Sequence, residues 1–328
     1  MRRAVFALAA AASVVSAQSG SGREEIQVLP VQGNVYLVAG AGGNITVQVG
    51  KSGVLLVDTG NPQMTGKVLA AIRKLSDKPV RYILNTQGDG DHTGGNENFA
   101  KEFGSATAVS VANTPGSSAT QTVQIYAHDQ VLARMSAAKL PDTAWPTETF
   151  VGDSKELYFN GEAVLMYHLP AAHTDGDSMV HFRGSDVVST GDIFNTTGYP
   201  VIDLQRGGSV QGVIDGLNRV LDIAVPAHHE EGGTYVIPGH GRICDEFDVL
   251  EYRDMITIIR DRIQASIKKG MTLEQVQASK PTRDYDPQYG AATGPWVLGV
   301  QWHPENFWRT GECRPLFEGF IEAASHRT

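Results

Sequence analysis

The chain has 328 residues, 41% of them hydrophobic and 19% charged, with a formal net charge of −9 at pH 7. That length suffices for one large domain or two small ones, and that composition is the composition of an ordinary globular protein. The acidic balance argues against nucleic acid or an anionic membrane surface as a partner. Two cysteines, Cys244 and Cys313, cannot form a zinc–cysteine cluster by themselves, and their distance in sequence establishes no bridge.

Met1–Ala17 reads as a signal peptide: Arg2 and Arg3 precede the apolar stretch Ala4–Val15, and Val15-Ser16-Ala17 offers small residues to a signal peptidase. The apolar run is too short to span a bilayer comfortably. The sequence therefore predicts an exported protein, periplasmic or secreted, free of the membrane after cleavage. Loss of the two arginines would take the net charge from −9 to −11.

From Glu24 to Gly60, short β-type runs alternate with glycine turns, predicting strands over Ile26–Val31, Val35–Val38, Ile45–Val49 and Val54–Val57. Helical spacing of Val68, Leu69, Ile72 and Leu75 predicts a helix over Met64–Leu75. A strand over Val80–Leu84 follows, then a short helix over Gly95–Phe103 and a strand over Ala106–Val111. Thr120–Ala138 reads as a helix through Val123, Ile125, Val131, Leu132 and Met135. A second strand-rich block covers Leu157–Phe159, Ala163–Tyr167, Ser178–Phe182 and Val187–Ser189. A helix over Val210–Ala224, a strand over Thr234–Ile237, a long amphipathic helix over Glu246–Lys269 and a short one over Leu273–Ser279 complete the pattern. Strands then helix, twice over, predict two mixed sheets packed face to face with helices outside, in one domain from about residue 18 to 296.

Polar clusters fall at the strand ends. Asn85–Asn96, reading NTQGDGDHTGGN, crowds Gln87, Asp89, Asp91 and His92 into six residues directly after a strand. His173 stands just past another in Ala172-His173-Thr174-Asp175-Gly176-Asp177, Asp192 in Thr190-Gly191-Asp192, and His240 in Pro238-Gly239-His240-Gly241. Oxygen and imidazole donors without thiolate are what a catalytic metal site uses, and flanking glycines let such loops turn tightly. Taken alone, the Asp-Gly-Asp loop is also compatible with a solvated turn or a calcium loop.

In this order the clusters resemble the metallo-β-lactamase-fold hydrolases, whose pattern is a His-x-His-x-Asp-His loop, a later His, a bridging Asp in a Gly-Asp context and a final Gly-His. The resemblance runs from about Glu24 to Trp296. It implies an α+β fold, the four-layer αββα metallo-β-lactamase sandwich, with metals at one edge of the sheets. By position it implies Asp91, His92 and His240 as ligands of the second metal site, Asp192 as the bridging carboxylate and His173 as the third ligand of the first site. Gln87 and Asp89 stand where that site's two other histidines are usual. An amide oxygen ligates zinc more weakly than imidazole does.

The implied cofactor is Zn2+, one ion or two, with manganese or iron admissible at the first site. The implied chemistry is attack of a metal-bound hydroxide, oriented by Asp91, on an ester, lactone, thioester or amide (including a β-lactam) of a small molecule. His-Thr-Asp-Gly-Asp and the stretch Gly191–Thr197 resemble the broad group of exported metallo-hydrolases rather than a dedicated β-lactamase. The alternative is an exported binding protein, catalytically weak or inactive, whose first metal site is degraded. His128, His168, His181, His228 and His229 match no motif and read as surface or core-edge residues. Asp58, in Val57-Asp58-Thr59-Gly60, reads as a buried structural carboxylate, and Asp175 and Asp177 as loop groups that help hold His173.

Residues 297–328 read as a tail outside this domain. Val297–Glu305, containing His303-Pro304-Glu305, and Leu316–Ala324 resemble the carboxyl end of class I glutamine amidotransferase-like hydrolases. No Gly-x-Cys-x-Gly elbow precedes them, so the His303–Glu305 pair lacks a nucleophile and the tail reads as a fused fragment without an active site of its own.

Overall fold

The computed structural model describes residues 25–104, 122–229 and 232–290. The predicted signal peptide, the predicted strand Ala106–Val111, Cys313 and the tail lie outside the described residues. Among the described residues no helix is long and apolar enough to cross a membrane.

Twelve strands in the described residues form two sheets. The first sheet contains β1 (Gln27–Gln32), β2 (Val35–Ala41), β3 (Gly43–Gly50), β4 (Gly53–Val57), β5 (Val80–Leu84), β6 (Gln124–His128) and β7 (Glu148–Phe150), side by side in that order. β1 to β4 form an antiparallel meander, whereas β4 to β7 run parallel. The second sheet contains β8 (Ser154–Phe159), β9 (Glu162–His168), β10 (Ser178–Phe182), β11 (Val187–Ser189) and β12 (Tyr235–Ile237). Its order is β12-β11-β10-β9-β8, and only the β11–β12 pair is parallel.

Side chains alternate across each strand, so a strand buried on both faces supplies two cores. In β4, Leu55 and Val57 meet Met166, Phe182 and Val187 of the second sheet, forming the inter-sheet core. Val54 and Leu56 of the same strand face outward. They pack with Val68 and Ile72 of α1 (Thr65–Leu75) and with Phe99. The motif helix α2 (Gly90–Thr93) is a single turn, and α3 (Asn96–Phe103), which carries Phe99, follows it. After α4 (Asp129–Ala137), the outer face of the second sheet is covered by α5 (Val210–Leu221) and α6 (Glu246–Lys268), with Val213, Leu217, Tyr252, Met255 and Ile259 fully or almost fully buried. α7 (Leu273–Ala278) adds Val276 to that core, and α8 (Asp286–Tyr289) closes the described chain. Helix, sheet, sheet, helix is the four-layer αββα sandwich.

The sequence-predicted helix over Thr120–Ala138 divides in two. Its first half is strand β6, and helix begins only at Asp129. Val123, Ile125 and Ala127 are inaccessible to solvent, and β6 pairs in parallel with both β5 and β7. A strand enclosed on both faces shows no clean alternation, so its apolar spacing passes for that of a helix. β7 escaped the prediction because three residues carry no periodic signal. Cys244 is a buried thiol without a disulfide partner among the described residues; its Sγ donates to the Arg242 carbonyl, and burial pushes its pKa up to about 12.

Candidate metal centre

Parallel neighbours end at the same sheet edge, so the loops that leave them converge there. The loop after β5 carries Gln87 and Asp89, and α2 adds Asp91 and His92 within one helical turn. From the second sheet, the turn after β11 carries Asp192 and the loop after β12 carries His240. His173 lies between β9 and β10. Backbone bonds lock the two sheets together here: Ser178 N–H donates to the Thr86 carbonyl at 2.7 Å, and Asn44 N–H to the Gly239 carbonyl at 2.8 Å. The Asn44 side chain also donates to the carbonyls of Pro238 and Gly241 at 2.9 and 3.0 Å, fixing the turn that presents His240.

All seven sequence-predicted site residues are brought together. Asp91, His92 and His240 form one group with ligand atoms within 4.8 Å of one another, and Asp89, His173 and Asp192 form a second. His240 Nε2 lies 3.2 Å from Asp91 Oδ2 and 3.3 Å from Asp192 Oδ1, and His92 Nε2 lies 3.3 Å from Asp192 Oδ2. His173 Nε2 is 3.7 Å from Asp89 Oδ2. Gln87 joins the pair of groups through its amide Nε2, which donates to Asp192 Oδ2 at 2.5 Å.

His92 is held from behind by a carboxylate. Asp58 Oδ2 lies 2.7 Å from His92 Nδ1, while Asp58 also accepts from Thr86 N–H and Thr86 Oγ1 at 2.8 and 2.7 Å. Asp58 sits at φ +64°, in the left-handed region that β-branched residues avoid. Such a carboxylate fixes the imidazole tautomer so that Nε2 faces the centre with its lone pair. Asp177 does less for His173: its Oδ1 lies 3.6 Å from Nδ1, and its hydrogen bonds go to Thr174 N–H and Oγ1. Asp175 turns away and pairs with Arg134.

The charges of the group are mutually dependent. Burial alone would depress the His92 pKa, but Asp192 and Asp58 override it and raise it well above the ordinary imidazole value. Asp192 shows the converse: burial opposes its charge, and His92, His240 and His173 still hold it well below the usual carboxylate range. The hydrogen bond with His240 chiefly lowers the Asp91 pKa.

These residues fit a divalent cation. His92 Nε2 and Asp192 Oδ1 are buried and lack any hydrogen-bond partner, although nitrogen and oxygen donors surround them. A buried polar atom without a partner costs about 1–3 kcal/mol, and shared coordination to one cation removes that cost. The backbone is shaped for the same approach: a Cβ added at Gly239 would collide with Asp192 Oδ1 and with the Gly191 backbone. Gly239→Ala is accordingly expected to displace Asp192 and lower metal affinity at least about tenfold, the lower end for losing a supporting contact. Isothermal titration with zinc, alongside circular dichroism to verify the fold, checks this.

Sequence reasoning missed Arg206. The 3-10 turn Leu204–Arg206 carries its guanidinium onto the Asp89 carboxylate, 117 residues away in the chain. No motif marks it, and only an acidic side chain at position 89 signals that a cation belongs nearby. It also missed the partnership of His128 and His168, whose rings stack 3.6 Å apart.

The family model described as the metallo-beta-lactamase superfamily matches residues 28–240. Among curated proteins, the linear primary-alkylsulfatase of a Pseudomonas species is 24% identical over 256 residues, 68% of this chain and 47% of that protein. A CTP synthase of Ruminiclostridium cellulolyticum is 29% identical over 131 residues, 40% of this chain and 23% of that enzyme. The chain thus spans less than half the length of these curated relatives. Among solved structures, the inverting sec-alkylsulfatase Pisa1 from Pseudomonas superimposes with a TM-score of 0.58 at 14% identity, over 77% of this chain and 45% of that one. The DIM-1 metallo-β-lactamase gives 0.52 at 16% identity, over 71% of this chain and 97% of that one. Both likenesses concern the fold.

Proposed function

Because the chain belongs to the metallo-β-lactamase superfamily, a membership that supports a metal-dependent hydrolase, we propose that it is an exported zinc hydrolase of a small-molecule ester, lactone, thioester or amide. The observation that carries the reading is the set of unpartnered, buried donors at the junction of the two sheets, His92 Nε2 foremost. Asp91, His92, Asp192 and His240 would hold the cation. When bound, zinc supplies an activated water at neutral pH and polarises the bond being cleaved.

The protein's own groups divide the remaining work. Asp91 is about a third exposed, the most open carboxylate of the centre, and its Oδ2 points between His92 and His240. We assign it to orienting the attacking water and accepting its proton. Asp58 and Asn44 act only through the residues they hold. The loop between β11 and α5 exposes Val201 and Leu204 on either side of Asp203, giving an entering substrate an apolar surface close to the polar residue that positions Arg206. That surface favours a substrate with an apolar portion, and the similarity to alkylsulfatases adds sulfate esters to the esters worth assaying.

The test is metal content together with hydrolysis. Purified protein should contain zinc, lose activity on chelation and regain it with zinc. The substrate panel should include p-nitrophenyl esters, a lactone, a thioester, a chromogenic β-lactam and a medium-chain alkyl sulfate. Zinc-loaded protein that cleaves none of them would overturn the hydrolase reading in favour of a binding protein.

A further inference from the structure

We infer that Arg206 takes the place of the first metal, so that the protein holds a single divalent cation, bound by Asp91, His92, Asp192 and His240. The inference rests on the metal-centre reading above and concerns how many cations that centre admits.

Arg206 addresses Asp89 with two nitrogens: Nη1 bonds Oδ1, and Nη2 lies 3.5 Å from Oδ2. A guanidinium fork matches a carboxylate in this way and holds it in a fixed plane. The fork is itself fastened. Asp203 accepts from Arg206 Nε at 2.5 Å and from the Arg206 backbone N–H at 2.9 Å. The Arg206 carbonyl accepts from Arg134 Nη2 at 2.6 Å and from the Asp175 N–H at 2.9 Å. Four separate bonds thus place one cation over Asp89, the residue that stands where a histidine would otherwise coordinate.

Gln87 points the same way. A carboxylate that bridges two metals turns an oxygen to each. Asp192 turns Oδ1 to His240, while its Oδ2 faces His92 and already receives the Gln87 amide N–H, so the oxygen a first metal would need is taken by a donor. The amide therefore presents a proton where an imidazole would present a lone pair. A divalent cation entering between Gln87, Asp89 and His173 would meet that N–H and the Arg206 charge together. Gln87 Oε1, a buried oxygen without a partner there, is neutral and offers too little to offset the repulsion.

Charge balance is kept without a second ion. Asp89 is neutralised by Arg206, and Asp192 by the cation at the second group. His173 stays within 3.7 Å of Asp89 as a neighbour of that ion pair. The first site of the two-metal plan survives as an ion-paired wall beside the centre.

Zinc titration of the metal-free, full-length protein, read by calorimetry and by metal analysis after dialysis, tests the inference. Wild type should bind one equivalent. Arg206→Ala combined with Gln87→His, which removes the guanidinium and restores an imidazole, should bind two, whereas Gln87→His alone should still bind one. Two equivalents in the wild type, or one in a folded double variant, would overturn the inference alone. No bound zinc in the wild type would overturn the metal-centre reading with it. Should the double variant not fold, cobalt(II) titration of the wild type decides: its visible absorption should saturate at one equivalent, and continued growth to two overturns the inference.

Discussion

Replacing His240 with alanine is expected to strip zinc from the protein and reduce activity well beyond the roughly 100-fold upper end seen when only a supporting partner of a ligand is lost. His240 Nε2 lies 3.2 Å from Asp91 and 3.3 Å from Asp192, so its removal opens the centre on one side and leaves two carboxylates facing each other. The fold should survive, because the side chain is about a quarter exposed and its loop is held by Asn44 through backbone carbonyls that alanine retains. Metal analysis, turnover on the best substrate and far-ultraviolet circular dichroism check the three parts. Normal zinc content in the variant would remove His240 from the centre.

Asp58→Ala is expected to act on both stability and metal affinity. It leaves the Thr86 N–H, the Thr86 hydroxyl and His92 Nδ1 buried without their acceptor. Breaking one partner of a buried charged pair costs about 3–5 kcal/mol, and alanine would also have to occupy φ +64°. Metal affinity should fall about 10–100-fold because the imidazole is no longer oriented. Chemical denaturation and zinc titration read the two effects separately. Asp58→Asn keeps an acceptor for Thr86 and should recover most of the stability while still binding zinc more weakly.

The same carboxylate contributes to a pH dependence. Asp192, and after it Asp58, raise the His92 pKa in the folded protein, so the protonated ring stabilises metal-free protein below its unfolded value of about 6.5. That contribution is lost as pH rises through the raised folded value. Zinc needs the neutral ring, so its affinity runs in the opposite sense, weakening as pH falls through that value. Thermal melts of metal-free and zinc-loaded protein across this range should therefore have slopes of opposite sign.

The sandwich could be read from the chain because strand punctuation by glycine and the helical spacing of α1, α5 and α6 are local signals. The seven site residues could be read because the segments that carry them follow strands and match, in order, the motifs of the family the sequence resembles. β6 could not: with Ile125 packed in the outer core and Tyr126 in the inter-sheet core, it has no exposed face to mark its period. Arg206 could not either, because its role depends on a contact between two loops on different sheets, and no spacing in sequence encodes that approach. Asp58 shows an intermediate case. The sequence identified a buried carboxylate, but which group it holds became visible only when β4 and α2 were seen side by side.

The centre draws Asp91 and His92 from one sheet and Asp192 and His240 from the other. A cation held there would act as a rivet through the two halves of the sandwich, and occupancy and global unfolding would become a single linked equilibrium. Free zinc at a hundred times its dissociation constant would add about 2.7 kcal/mol to the unfolding free energy. The apparent robustness of this protein would then vary with the level of that cation in its surroundings.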